Sequence, residues 1–276
     1  MSLPPAVLAE RREAFRALHG SGCFLLPNPW DAGSARWMAA QGFVALATTS
    51  SGAAWARGLP DGGMSLDDTL AHVTEIAAAT ALPVNVDFGD GQGAGPAEVE
   101  AACARCFAAG AAALSVEDAD EGDTRNLYPL EVAAARLRAA RRAADAAPGR
   151  GILVGRAECF LTGHPDALAE SIRRVVAYAE AGADVLYVPG ISTREEIAAV
   201  VRAVAPKPVN LLVGRPIGLT LSEIAALGVR RVSVGGALAG VAWGALSRAV
   251  AGLQEGRFDA LGARLPGAEL NCLFGR

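Results

Sequence analysis

Eight short apolar runs recur along the chain, each followed by a turn and then by a longer segment with helical spacing. The runs are Cys23–Leu26, Val44–Thr48, Val84–Asp87, Ala112–Val116, Ile152–Val154, Val185–Val188, Val209–Leu212 and Arg231–Val234. Most are apolar on both alternating faces, as strands covered on both sides in a parallel sheet must be. The intervening segments read as helices: Asp31–Gln41, Thr69–Ala81 after an acidic start at Ser65, Pro96–Ala109 and Pro129–Ala147. Further helices run His164–Ala181, from Ser192/Thr193 to Val204, Leu221–Leu227 and Ala237–Leu253. Proline at the first helical position and glycine after the last one mark several boundaries. Eight β-α units are the pattern of an α/β (β/α)8 TIM barrel. A doubly wound open sheet fits less well. It asks for a glycine-rich turn after the first strand, and Pro27-Asn-Pro-Trp30 stands there instead.

No linker or charge block divides the 276 residues, so the expectation is one barrel domain over 1–276. Residues 255–276 form an extra tail with leftover apolar residues, which points to packing on a neighbouring subunit. With a net charge of -4 and no basic run beyond pairs, no nucleic-acid partner is expected. No apolar stretch is long enough to span a bilayer. Five cysteines and a charged N-terminus suit a reducing cytoplasm.

In this fold the ends of the strands share one mouth. Strand three ends in Asp87, strand four in Glu117-Asp118, strand five in Gly155-Arg156-Ala-Glu158, and strand seven carries Asn210. Acids on neighbouring strands are hard oxygen ligands suited to Mg²⁺, and an arginine beside them can grip a substrate carboxylate with two hydrogen bonds. Simple loop capping or pairing with Arg156 is the bland alternative. Three such residues at one end of adjacent strands favour a site. Lys207, the sole lysine, begins strand seven and so lies away from the mouth, which disfavours Schiff-base chemistry. His19 and His72 read as surface helix residues, His164 as a loop-to-helix junction, and Cys103/Cys106 as packed helix residues. Cys159 falls in a mouth loop with no histidine partner in view, and Gly235-Gly236 reads as a tight turn or, alternatively, a phosphate cradle.

The ordered set Pro27-Asn-Pro-Trp-Asp31, Ser51-Gly52-Ala53, Gly58-Leu-Pro-Asp61, Pro83-Val-Asn-Val-Asp87, Val116-Glu117-Asp118 and Gly155-Arg156-Ala-Glu158 resembles the isocitrate lyase/phosphoenolpyruvate mutase superfamily. Residues 15–250 carry the resemblance. It implies a homodimer or homotetramer with a C-terminal helix swapped between subunits, a Mg²⁺ cofactor and a small α-oxo or 2-hydroxy carboxylate as partner. Asp87 would ligate the metal, with Asp61 and Glu117 on its waters. Ser51, Gly52 and Ala53 would hold the carboxylate and oxo oxygen, Arg156 the substrate carboxylate, and Asn210 its distal arm. The implied activity is C–C cleavage of a di- or tricarboxylate through an enolate, with Glu117, Arg156 and Asp61 at the chemistry. P–C chemistry on phosphonopyruvate and non-catalytic oxo-acid binding are the alternatives. Two departures bear on activity. Relatives carry an acid where Gly89 stands, with Asp90 adjacent but turned elsewhere by strand alternation. The lyase loop with Cys-Gly-His is replaced by Ala119-Asp-Glu-Gly-Asp-Thr-Arg125-Asn126, and Arg125 cannot serve as the missing acid.

Overall fold

The computed structural model describes residues 3–120 and 123–275, without the side chains of 123–125. All eight expected strands form: Phe24–Leu26, Leu46–Ala47, Val84–Asp87, Ala113–Glu117, Ile152–Arg156, Val185–Tyr187, Val209–Leu212 and Arg231–Ser233. Every neighbouring pair in the ladder is parallel, running from the second strand round to the eighth and back to the first. The Ala47 N–H donates to the Pro27 carbonyl at 3.0 Å and bridges the last gap, between strands one and two. Helices surround this ring, so the chain is a (β/α)8 barrel.

Local chemistry explains the helix starts. Capping boxes at Asp31/Ser34, Ser65/Asp68, Thr193/Glu196 and Thr220/Glu223 satisfy the first free N–H groups of four helices. The helix Pro96–Ala109 has the expected bounds, with proline in its first turn and Gly110 as its C-cap at φ 128°. Two apolar layers result. One packs helices on the outside of the strands, and the other fills the barrel with Phe15, Leu26, Ala113, Val154 and Val185.

Three elements were not expected. The first is a helix over Pro5–Leu18 that closes the base. Its buried Arg12 donates to the carbonyls of Phe107, Ala111 and Pro148, which lie just before strands four and five. Phe15 from the same helix enters the barrel, fully buried. The spacing of Leu8, Arg12 and Phe15 is helical, but Arg12 hid the face by its charge. The second is a helix over Ser50–Ala56, where the sequence reads as a strand end running on into a loop. The third is a hairpin of Ala119–Asp120 and Asp123–Leu127 at the mouth. Beyond Gln254, the tail forms a 3-10 turn (Asp259–Ala263) and a helix (Gly267–Phe274). That last helix lies on Ala32–Ala40 of the same chain, with the Phe274 carbonyl accepting from Arg36 at 3.3 Å. Lys207 donates to the Ala183 carbonyl at the base, as its position at the start of strand seven requires.

Candidate active site

Strand register decides what meets at the mouth. Glu117 lies beside Arg156, Arg156 beside Tyr187, Tyr187 beside Asn210 and Asn210 beside Arg231. Asp87 ends the strand next to that of Glu117. Arg156 Nη1 is 2.9 Å from Asp87 Oδ1 and 3.0 Å from Glu117 Oε2, and Arg156 Nε donates to Glu158 Oε1. The guanidinium stacks 5.1 Å over the Tyr187 ring. Asp87 Oδ2 accepts from the backbone N–H and the hydroxyl of Ser50, at 3.1 and 2.8 Å.

A cavity of about 180 Å³ opens among these groups, with Ser51, Asp61, Asp87, Arg156 and Asn210 on its walls. A second, of about 290 Å³, adjoins it and is lined by Asp61, Gly89, Glu117, Arg156 and Glu158. Six of the eight expected site residues therefore meet: Ser51, Asp61, Asp87, Glu117, Arg156 and Asn210.

The other two do not join them. Ala53 is buried and lines a small neighbouring void of about 30 Å³ instead. Gly52 is buried, and a Cβ there would come 2.7 Å from Thr49 Cγ2. Both backbone N–H groups are taken by Thr49, Gly52 by its Oγ1 at 3.2 Å and Ala53 by its carbonyl at 3.0 Å. The reason is the unforeseen helix: Thr49 caps it, so Gly52 and Ala53 become its interior.

Several other expectations resolve here. Asp90 is committed elsewhere, accepting from Tyr128 Oη at 2.8 Å and Arg136 Nη2 at 2.5 Å, so it does not replace the acid absent at Gly89. The Gly235 N–H is held by Asn28 Oδ1 at 2.9 Å, and a Cβ on Gly236 would come 2.7 Å from Ser51 Oγ. That pair is a tight turn rather than a cradle. His72 is buried, not a surface residue, and burial pushes its pKa down to about 4. His19 is half-buried, edge-on to Phe15 and Phe24, and its pKa falls to about 3, first by burial and then by Arg231. Cys159 is buried and its thiol is raised to about 11, chiefly by burial, so it is no nucleophile. Arg125 lies outside the described side chains. Ser50, Glu158, Tyr187 and Arg231 also line the two cavities, although none of them is expected there from the motifs. Glu158 stood in a motif already noted, two residues after Arg156, and strand alternation was the available signal.

Electrostatics bears on the metal. Asp87, Glu117 and Glu158 surround one guanidinium, and Asp61 faces the same cavity. Asp61 is raised, first by burial and then by the charge of Asp87. Burial also raises Glu158 in spite of Arg156. The rim thus carries more anion than Arg156 balances, and a cation bound there relieves it. Among the described residues no three His, Cys, Asp or Glu side chains converge enough to hold an ion unaided. A rim of all-oxygen donors that leaves room for water suits Mg²⁺, which keeps several waters and uses one or two carboxylates. The residues present fit that ion.

Comparison with known proteins agrees with this architecture. The phosphoenolpyruvate phosphomutase family model matches residues 15–254. A crystal structure of a candidate lyase/mutase from Burkholderia cenocepacia J2315 is 46% identical, with a TM-score of 0.94 over 98% of both chains. An oxaloacetate decarboxylase from Rhodopseudomonas palustris is 33% identical over 94% of this chain and 90% of its own length. A phosphonopyruvate hydrolase, solved with oxalate and Mg²⁺, is 28% identical with a TM-score of 0.84, over 96% of this chain and 95% of that one. The chain belongs to the phosphoenolpyruvate phosphomutase family, within the superfamily that includes the isocitrate lyases.

Proposed function

We propose that the protein is a Mg²⁺-dependent lyase that breaks a C–C bond of a small α-oxo or 2-hydroxy di- or tricarboxylic acid. The observation that carries this reading is the cluster of Asp87, Glu117 and Glu158 around Arg156, where two adjoining cavities that both reach Asp61 and Arg156 meet. Similarity to oxaloacetate decarboxylases supports it.

When bound, Mg²⁺ supplies positive charge against the oxyanion that develops on the substrate. Asp87 would hold it directly, with Asp61 and Glu117 on its waters. Arg156 is fixed by its three carboxylates and by Tyr187. It offers its charge to the substrate carboxylate at no cost in reorganisation. Ser51, linked to Thr49 at 3.0 Å, presents a hydroxyl to the same cavity. Among C–C cleavages, loss of CO2 from a 3-carboxy-2-oxo acid asks least of these groups. The bond to the leaving carboxylate breaks, its electrons move toward the 2-oxo oxygen, and a solvent proton ends on C3. No base is needed to take a hydroxyl proton, and the departing CO2 takes none. A loop without cysteine or histidine is compatible with that course.

The test is turnover of a panel holding oxaloacetate, isocitrate, methylisocitrate and phosphonopyruvate, corrected for metal-catalysed background. Oxaloacetate should yield pyruvate, and EDTA should lower the rate on the order of 100-fold, reversibly with Mg²⁺. Full activity in EDTA removes the mechanism. Phosphate release from phosphonopyruvate alone would move the assignment to P–C chemistry. Tight binding of an oxo acid with no turnover in the panel would make this a binding protein.

We further infer a homo-oligomer. Helix Ala237–Gln254 exposes Val241, Trp243, Leu246 and Val250, and the tail exposes Phe258 and Leu265. So many large apolar side chains exposed on one helix and on the tail that follows it mark an interface. Sedimentation should give two or four times the chain mass, and a monomer at micromolar concentration would contradict it. No helix among the described residues is long and apolar enough to cross a membrane.

A further inference from the structure

Below the carboxylate rim, the same cavity reaches a second charged group of opposite sign. Arg231 begins strand eight and is 1% exposed. It lines the cavity together with Asn85, Tyr187, Asn210 and Ser233. Its Nε donates to Asn210 Oδ1 at 3.0 Å, and Asn210 Nδ2 donates in turn to Ser233 Oγ at 3.0 Å. Its guanidinium carbon stands 5.8 Å from the centre of the Phe15 ring. Nη1 is buried with no hydrogen-bond partner.

This is unlike the other buried arginines. Arg12 is met by four hydrogen bonds to backbone carbonyls, Arg136 by Asp90 and Arg174 by Asp118. Arg231 is fully buried with a single neutral oxygen on Nε and no carboxylate paired with it among the described residues. Burial pushes its pKa down to about 9, which still leaves it charged at neutral pH. The groups packed against it are Phe15 and His19 below and Tyr187, Asn210 and Ser233 beside it. His19 is itself held neutral. A buried guanidinium with a free donor is costly unless an anion completes it. Such a group facing a ligand cavity is accounted for by the ligand.

We propose that Arg231, positioned by Asn210, is the floor of a second anion subsite that receives the far carboxylate of a short dicarboxylate whose oxo- or hydroxy-acid head sits at the Asp87/Arg156 rim. The inference rests on the lyase reading above and assigns the residue that reads the second carboxylate of its substrate. The rim takes the head group with its cation, the floor takes the opposite end, and an acid ending in a methyl group leaves Arg231 unpaired.

Calorimetry in Mg²⁺ tests this with three probes: oxalate, which offers the head alone, and the matched pair malate and 2-hydroxybutyrate, which differ in a terminal carboxylate against a methyl. The wild-type protein should bind malate roughly 30-fold more tightly than 2-hydroxybutyrate, the strength of one charged hydrogen-bonded contact. In Arg231→Met that ratio should fall below about 3, with oxalate affinity changed less than about 3-fold, while Arg231→Lys keeps part of the preference. Replacing an unpaired buried charge by an apolar side chain of similar length is tolerated by the fold. A ratio near 1 in the wild-type protein overturns the proposal even if the variants misfold, and so does an unchanged ratio in Arg231→Met. Failure of oxalate to bind the wild-type protein in Mg²⁺ overturns the lyase reading instead.

Discussion

Asp87→Asn should lower kcat/KM for the cleaved oxo acid by roughly 10²–10³ and abolish its response to added Mg²⁺. Asparagine keeps the shape and can still accept from Ser50, and the backbone bond from Asp87 N to Thr48 Oγ1 at 3.0 Å is untouched. The barrel should therefore melt within a few degrees of the wild-type protein. What disappears is the negative charge that faces Asp61 and Arg156. Without it the rim has lost the one acid expected to touch the ion, and Asp61 and Glu117 are left to meet only its waters. Steady-state rates over a Mg²⁺ titration check this. A variant with activity within threefold of wild type would remove Asp87 from the metal site and leave it as a partner of Arg156 only.

The second large effect is on stability. Arg136→Met should destabilise the fold by about 3–5 kcal/mol, because it strands a buried carboxylate. Asp90 is 6% exposed and receives Arg136 through both its carboxylate and its carbonyl, at 2.5 to 3.1 Å. Arg136 also stacks 4.6 Å from the Tyr128 ring, and Tyr128 Oη closes the triangle on Asp90 at 2.8 Å. At about 2–4 °C per kcal/mol for a chain of this size, Tm should fall by about 6–20 °C. Adding Asp90→Asn should recover part of the loss, since the stranded charge is then gone. A Tm change under 2 °C in Arg136→Met would show that solvent reaches Asp90. The loop from Asp87 to Asp90 carries the acid proposed to hold the metal, so a reduced rate at temperatures where the variant is folded should accompany the loss of stability.

The strands and the rim were legible because their signals are local. Eight two-sided apolar runs specify the ring, and register then forces Asp87, Glu117 and Arg156 together. What stayed hidden depended on three-dimensional context. Arg12 and Arg231 both bring charge into the core, and only the folded ring shows how: backbone carbonyls satisfy one, and the other lines the cavity with its buried Nη1 unpaired. Gly52 and Ala53 sat in a quoted motif, but Thr49 captured their N–H groups by starting a helix that no periodicity over seven residues could announce. His72 read as a surface residue because helix Leu66–Ala79 is amphipathic, and its inner face sets Thr69 and His72 among the apolar Val73, Ile76 and Ala77.

The helix that plugs the base has a bearing on traffic. With Phe15 and its apolar neighbours sealing the lower end, the chamber is blind, and anything that enters past Asp87 must leave the same way. The two fragments of a cleaved molecule then depart in sequence. The piece nearest the doorway goes first, and whatever lies deeper waits until that doorway is clear.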